Sequence, residues 1–498
     1  MLNAFNLIIH TAASMLGVFI IGVLVFWFIQ DVTQKKHSVL RNYPLIGRLR
    51  YLFEKQGKYF RQYLFANDRD ELPFNRATRS WIYKVAKDKS STIGFGSTND
   101  LNRPGAIIFV NAAFPILEED QLPTPSLHIG RGYCEHPFEA KSIINISGMS
   151  YGAISKPAVR ALSLGAAHAG CWLNTGEGGL SPYHLEGNCD IIMQIGTAKY
   201  GIRDPNGNFS KERAKELSQV VKAFEIKLSQ GAKPGKGGLL PACKVTEEIA
   251  HIRGIPAYHD SKSPNRHVDI HNIEDLLDKI RILRELTGRP VGVKTAIGGW
   301  QFINELCDYI NRKGLDYAPD FLTIDGGEGG SGAAPQALMD HVSLPIAEAL
   351  PRVINALIQS GLKQRIYVVA AGKLVTSAEA AWALCAGADF VNSARGFMFS
   401  LGCIQALRCH LNTCPTGITT HDQRLQNGLV VEEKYLRVAN YAKNVNKEIN
   451  MIAHSCGLQH ARLFRREHVR IVQKPGKSMA LNVLYPYPDK QEFPTEFG

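Results

Sequence analysis

Ser142-Ile143-Ile144-Asn145-Ile146-Ser147-Gly148-Met149-Ser150-Tyr151-Gly152-Ala153-Ile154-Ser155 is where the texture of the chain changes. An isoleucine-rich run, Ser142–Ser147, reads as a strand and opens into a turn of small residues. The same unit recurs downstream. Apolar and β-branched runs at Trp172–Thr175, Asp190–Ile195, Phe224–Leu228, Pro290–Thr295, Asp320–Ile324, Arg365–Ala370 and Asp389–Asn392 alternate with helical stretches, and glycines close them. Eight such strands predict an α/β fold with a parallel sheet. A (β/α)8 TIM barrel is the natural closure at this count, with the active site at the C-terminal strand ends. A doubly wound open sheet is the alternative.

Upstream, no residue from Thr11 to Ile29 is charged, and the stretch predicts a transmembrane helix over 7–30. No Lys or Arg precedes it, as a cleaved signal peptide would require. Lys35, Lys36, Arg41, Arg48 and Arg50 follow, which places the catalytic body on the cytoplasmic side of a single-pass membrane tether. The expected organisation is a basic scaffold region over 31–135, the barrel over 136–430, and a C-terminal segment over 431–498. That last segment reads as helical (Val431–Ala453) and then as an irregular, Pro-rich tail.

The composition, 45% hydrophobic and 20% charged over 498 residues, is that of a globular protein. Much of the +12 net charge follows the apolar segment, between Lys35 and Lys89. No zinc-finger spacing or aromatic–basic RNA signature accompanies it, so a membrane surface or an acidic electron carrier fits better than nucleic acid. Ten cysteines in a chain of this length do not form a disulfide scaffold; three of them, Cys403, Cys409 and Cys414, fall within twelve residues.

The turns after the strands carry the candidate chemistry. The small residues around Met149 and Ser150 let a planar ring such as a flavin approach backbone amides, although a plain turn uses the same residues. Glu177 stands between glycines in Asn174-Thr175-Gly176-Glu177-Gly178-Gly179, as a proton-handling group or, more plainly, a solvated loop carboxylate. Gln230-Gly231-Ala232-Lys233-Pro234-Gly235-Lys236-Gly237-Gly238 is one residue short of a Walker A loop and lacks its Ser/Thr. Gln230 and Lys233 suit a dicarboxylate instead. Lys294 needs an anionic partner, either a reduced flavin or a structural carboxylate. Asp325-Gly326-Gly327-Glu328-Gly329-Gly330-Ser331-Gly332 is a weak match to a nicotinamide fingerprint, on the wrong strand for one. Backbone amides at Gly372 and Gly396, with Arg395 or Lys373 nearby, suit a phosphate after the last two strands.

Cys403-Ile404-Gln405-Ala406-Leu407-Arg408-Cys409-His410-Leu411-Asn412-Thr413-Cys414-Pro415 has spacing that a straight helix would splay onto different faces. The thiols converge only if the chain wraps a group, and three thiolates suit a [3Fe–4S] cluster. A zinc site using His410 is the alternative, although adjacent Cys409 and His410 make poor joint ligands.

Taken together, SGMSYGAIS, NTGEGG, QGAKPGKGG, DGGEGGSGAAP and GCIQALRCHLNTCPTG resemble, in order and spacing, the FMN domain of glutamate synthase over roughly residues 140–460. The resemblance implies FMN and a [3Fe–4S] cluster, and reduction of 2-iminoglutarate, formed from 2-oxoglutarate and ammonia, to L-glutamate. It makes Cys403, Cys409 and Cys414 cluster ligands, Glu177 and Lys233 catalytic, and Gln230 with Lys233 contacts of 2-oxoglutarate. Met149, Ser150, Lys294, Gly329, Gly330, Gly372, Ala394, Arg395 and Gly396 become the FMN-binding set. Three positions depart from the family pattern: Ala371-Gly372 replaces Gly-Gly, Asp325-Gly326-Gly327-Glu328-Gly329-Gly330 replaces SGHDGG, and Lys199 stands for an arginine. The expected nitrogen source is free ammonia or a separate glutaminase, since no N-terminal glutaminase cysteine is present. The electron donor would be a ferredoxin or a partner reductase. The alternatives are a related amine transfer of the N-methylglutamate synthase type, and a membrane-anchored electron-transfer subunit.

Overall fold

The computed structural model describes residues 2–488; the end of the Pro-rich tail, 489–498, lies outside them. The chain forms two compact units, Met1–Thr78 and Arg79–Gly498.

In the first unit a single helix, Leu2–Thr33, carries the apolar run. Its segment Phe5–Thr33 has 29 residues, a rise of roughly 43 Å, long and apolar enough to cross a bilayer. A short helix, Ser38–Asn42, leads to helix Ile46–Phe60, which runs on as a π-helical turn, Arg61–Phe65.

The second unit is built on a closed parallel barrel. Its strands are β1 (Ile144–Ile146), β2 (Leu173–Asn174), β3 (Ile191–Ile195), β4 (Ala223–Lys227), β5 (Val291–Thr295), β6 (Phe321–Asp325), β7 (Tyr367–Ala371) and β8 (Phe390–Ser393). Each pairs in parallel with the next, and β8 closes on β1 through Asn392 and Asn145. All eight expected strands are present, and the open-sheet alternative is excluded by the closure.

The pleat sorts the residues. Val291, Val293, Phe224 and Ile226 face the surrounding helices, while their alternates line the barrel interior. Interior neighbours follow the ladder: Gln194 stands beside Glu225, Lys227 beside Lys294, and Lys294 beside Thr323. At the N-terminal end the interior is apolar. An antiparallel hairpin, Leu127–Ile129 with Phe138–Ala140, packs there with Trp172, Ile192, Ala223, Phe321, Val369 and Phe390. Gly292 is required at this level: a Cβ on it would lie 2.3 Å from the Phe321 ring. Beneath the hairpin end, fully buried Asp320 pairs with both Arg284 (2.9 Å) and Arg365 (3.0 Å), and both guanidiniums also donate to the Ala318 carbonyl. The floor is therefore sealed, and polar side chains accumulate at the other end.

Helices on the outside begin and end on local signals. Ser155 caps helix Lys156–Ala169, which stops at Gly170 in the left-handed conformation. Thr376 and Glu379 form a capping box on helix Ser377–Ala386. The long helix Val431–Ser455 packs along Lys156–Ala169, as its periodic apolar face requires.

The C-terminal segment departs from expectation. Val469–Lys474 and Lys477–Ala480 form an antiparallel hairpin, not an irregular tail, and Ile107–Phe109 from the supposed scaffold region adds a third strand. The alternation in Val469-Arg470-Ile471-Val472 is short, and a partner as far back in sequence as Ile107–Phe109 is not visible from local pattern.

Candidate active site at the barrel mouth

The polar residues at the C-terminal strand ends form one connected network. Glu225, buried inside the barrel, accepts hydrogen bonds from Asn174 (2.8 Å) and, at long range, from Gln194 (3.5 Å). Burial pushes its carboxyl above the ordinary range, against the pull of Lys294. Lys294 lies 3.5 Å from Asp325. Burial disfavours its charge, but Asp325 and Glu225 outweigh that and raise its pKa. Of the two partners expected for this lysine, a reduced flavin or a structural carboxylate, the protein itself supplies the carboxylate.

Asp325 also fixes a loop. Its Oδ2 accepts from the Gly231 amide at 3.0 Å, tying the segment after β4 to the end of β6. Gly231 has no room for a side chain there, since a Cβ would lie 1.8 Å from the Gly326 carbonyl oxygen. Gln230 makes a second link, donating to the Gly330 carbonyl at 3.2 Å.

Glu177 is not a solvated loop carboxylate. It lies 3.1 Å from the Lys227 ammonium and 4.0 Å from that of Lys233, with its side chain 20% exposed. Burial works to raise its pKa, yet the attraction of Lys227 and Lys233 prevails and lowers it to about 2. Glu177 is therefore an anion at neutral pH. Lys227 also donates to Gln230 Oε1 at 2.6 Å, so Glu177, Lys227, Lys233 and Gln230 line one cavity of about 20 Å³. That is room for about one water. Burial depresses the Lys233 pKa, with Glu177 opposing.

Met149 and Ser150 belong to the same mouth. A Cβ on Gly176 would lie 2.6 Å from the Ser150 amide nitrogen, so the turns after β1 and β2 are in direct contact. Buried Arg253 donates to the Tyr151 carbonyl (3.3 Å) behind them.

Lys227 was not singled out by sequence pattern, nor were Asn174, Gln194, Glu225, Asp325 and Arg253 as site residues. The signal for most of them was present: polar residues at alternate positions of strands whose other residues are apolar, as in Ala223-Phe224-Glu225-Ile226-Lys227. Lys199, at the position of the family arginine, turns to Asp269 at 2.9 Å.

On the opposite side of the mouth, Gly372 adopts φ 116°, and a Cβ there would lie 2.8 Å from the Gly326 amide nitrogen. The Arg395 guanidinium lies against Gly330 and donates to the Glu328 carbonyl at 2.8 Å. Lys373 has its pKa lowered by burial and then by repulsion from Arg395. Glu328 and Glu379 act on both cations and offset part of that repulsion. Ala394 precedes the short helix Arg395–Leu401, and Gly396 has no room for a Cβ against the Tyr441 hydroxyl. Gly329 packs on Asp325.

The cysteine loop is held from several directions. Buried Lys244 donates to the carbonyls of Cys409 and Thr419, each at 2.7 Å, and Tyr83 donates to that of Cys403 at 2.5 Å. Gln405, Leu407 and Asn412 all adopt left-handed φ values, 57°, 55° and 60°. Such conformations persist in non-glycine residues only where the surroundings impose them. Cys409 and Cys414 both act on the Cys403 thiol, which burial drives up to about 12. Among the described residues no group of three or more His, Cys, Asp or Glu side chains is placed to hold a metal ion.

A family model described as a conserved region in glutamate synthase matches residues 108–459, well over half of the chain. The chain belongs to the glutamate synthase family. It is an oxidoreductase with the FMN-binding barrel of that family. A glutamate synthase large subunit-like protein of Bacillus subtilis is 42% identical, over 96% of this chain and 98% of that protein. The archaeal-type glutamate synthase [NADPH] of Thermotoga maritima is 36% identical, over 63% of this chain and 59% of that one. The archaeal glutamate synthase [NADPH] of Methanocaldococcus jannaschii is also 36% identical, over 66% and 61%. This glutamate synthase family member therefore spans about three fifths of the length of the archaeal-type enzymes.

Proposed function

We propose that the protein reduces 2-iminoglutarate, formed from 2-oxoglutarate and ammonia, to L-glutamate, using FMN and a [3Fe–4S] cluster. The observation that carries this reading is the meeting of Glu177, Lys227, Lys233 and Gln230 at one cavity in the mouth of a glutamate synthase-family barrel. When bound, FMN supplies hydride transfer and the cluster supplies single electrons.

The residues divide the work by charge. Lys233 and Gln230 hold the carboxylates of 2-oxoglutarate, Lys233 by charge and Gln230 by geometry. Glu177, ionised at neutral pH, holds the ammonium nitrogen or the iminium that follows from it. With its pKa near 2 it acts as an anion and an acceptor, not as a proton donor.

Met149, Ser150, Gly329 and Gly330 provide close backbone approach for the flavin ring, with Lys294 beside its polar edge. Arg395 with Lys373 holds the phosphate against the backbone of Gly372, Ala394 and Gly396. Cys403, Cys409 and Cys414 ligate the cluster. The basic balance of the chain, 57 Lys and Arg against 45 Asp and Glu, suits an acidic electron donor such as a ferredoxin, or a partner reductase. Helix Leu2–Thr33 tethers the protein to the membrane, with the barrel on the cytoplasmic side where Lys35, Lys36 and Arg41 follow the span.

Purified protein tests the reading at the level of composition. Noncovalent FMN, iron and labile sulfide are expected in the isolated protein. Stoichiometric zinc without sulfide would refute the cluster.

A further inference from the structure

Helix Ile46–Phe60 and the turn Arg61–Phe65 carry an apolar stripe that stands exposed among the described residues. Ile46, Leu49, Phe53, Phe60 and Leu64 recur at helical spacing, and each is between 47% and 74% exposed. A stripe of large apolar side chains left in the open marks an interaction surface. Around it stand Arg50, Lys55, Lys58 and Arg61, against the single acid Glu54, while Arg48 is taken up by Asp31. Lys55 falls on the side opposite Phe53, about 160° away at the α-helical repeat.

The start of this helix is fixed to the end of the apolar helix. Buried Asp31 accepts hydrogen bonds from the Leu45 amide (3.0 Å) and from Arg48 Nε (2.8 Å) and Nη2 (2.7 Å). Arg48 also donates to Gln30 Oε1 at 2.7 Å, and its guanidinium stands 4.9 Å from the Trp27 ring. Trp27, Gln30 and Asp31 are where the uncharged run ends, the level at which a spanning helix leaves the hydrocarbon and enters the headgroups. The stripe thus begins at headgroup depth.

We infer that helix Ile46–Phe60 and its continuation to Phe65 lie in the surface of an anionic phospholipid bilayer, with Leu49, Phe53, Phe60 and Leu64 among the acyl chains. The inference rests on the reading of Leu2–Thr33 as a membrane span. Three observations favour lipid as the occupant: the apolar stripe, the basic flanks that match anionic headgroups, and the clamp that sets the helix at the interface. The chain would then hold the bilayer by a span and by a second helix lying across it.

Full-length protein reconstituted in vesicles of phosphatidylcholine and phosphatidylglycerol tests this. A photoreactive benzoylphenylalanine is placed at Phe53 in one variant and at Lys55 in another. The Phe53 probe is expected to form phospholipid adducts in several-fold higher yield than the Lys55 probe. Equal yields, or crosslinking of the Phe53 probe to a second copy of the chain, would overturn the inference while leaving the span intact. Extraction of the unmodified protein by alkaline carbonate would instead refute the span, and the inference with it.

Discussion

The Lys227 ammonium lies 3.1 Å from the Glu177 carboxylate, joining a strand residue of the barrel interior to a loop anion that follows β2. This pair, with Lys233 beside it, sets the charge of the mouth before any substrate arrives. Glu177 is held in its ionised form although burial opposes it.

Acid stability should report the pair. A carboxyl whose folded pKa lies below its unfolded value stabilises the fold above the ordinary carboxylate range. That stability is lost as pH falls through the folded value, here from about 4.5 down to about 2. Lys227→Met removes the main partner, so it should move acid unfolding to higher pH and cost about 3–5 kcal/mol at neutral pH. Circular dichroism across that window is the measurement. An unchanged midpoint would mean that Lys227 does not hold Glu177.

Lys233→Ala and Glu177→Gln should separate in kinetics. Loss of a charge-assisted contact to a carboxylate costs roughly 1.5–3 kcal/mol, or about 10- to 100-fold in 2-oxoglutarate KM. Glu177→Gln keeps the shape and removes the anion, so kcat should fall more than KM rises. A reversed split would exchange the roles proposed for the two residues.

Gly231→Ala should impair the mouth without emptying it. The added methyl meets the Gly326 carbonyl at 1.8 Å, so the loop must leave Asp325 and its hydrogen bond. Flavin content should remain near that of the parent, while 2-oxoglutarate turnover falls. Retained turnover would show that the loop position is irrelevant to substrate binding.

The barrel was legible because each strand is an apolar run closed by glycine, and because fully buried parallel strands need continuous β-branched sequence. The crowding of Cys403, Cys409 and Cys414 was legible for the same reason: spacing is a local property. What escaped were partnerships. Lys227 meets Glu177 only through barrel register and a loop conformation, and Lys244 reaches Cys409 across 165 residues of sequence. The hairpin at Val469–Lys474 depends on Ile107–Phe109 for its edge, which no local pattern records.

The cysteine loop predicts a graded loss. Cys409→Ser should abolish iron and labile sulfide while circular dichroism and flavin binding persist. Lys244→Met removes hydrogen bonds to the Cys409 and Thr419 carbonyls, and should lower iron content without abolishing it. Iron and sulfide assays on the purified variants decide this. Full iron in both would assign the loop a purely structural role.

The reaction itself is tested most directly by anaerobic reoxidation of the reduced protein with 2-oxoglutarate and 15N-ammonium, followed at the flavin absorbance and by mass spectrometry of the product. Glutamate synthesis predicts that the flavin reoxidises only when both are present and that 15N-labelled L-glutamate appears. A flavin that stays reduced with this pair, yet reoxidises with a different oxo acid or amine, would contradict it.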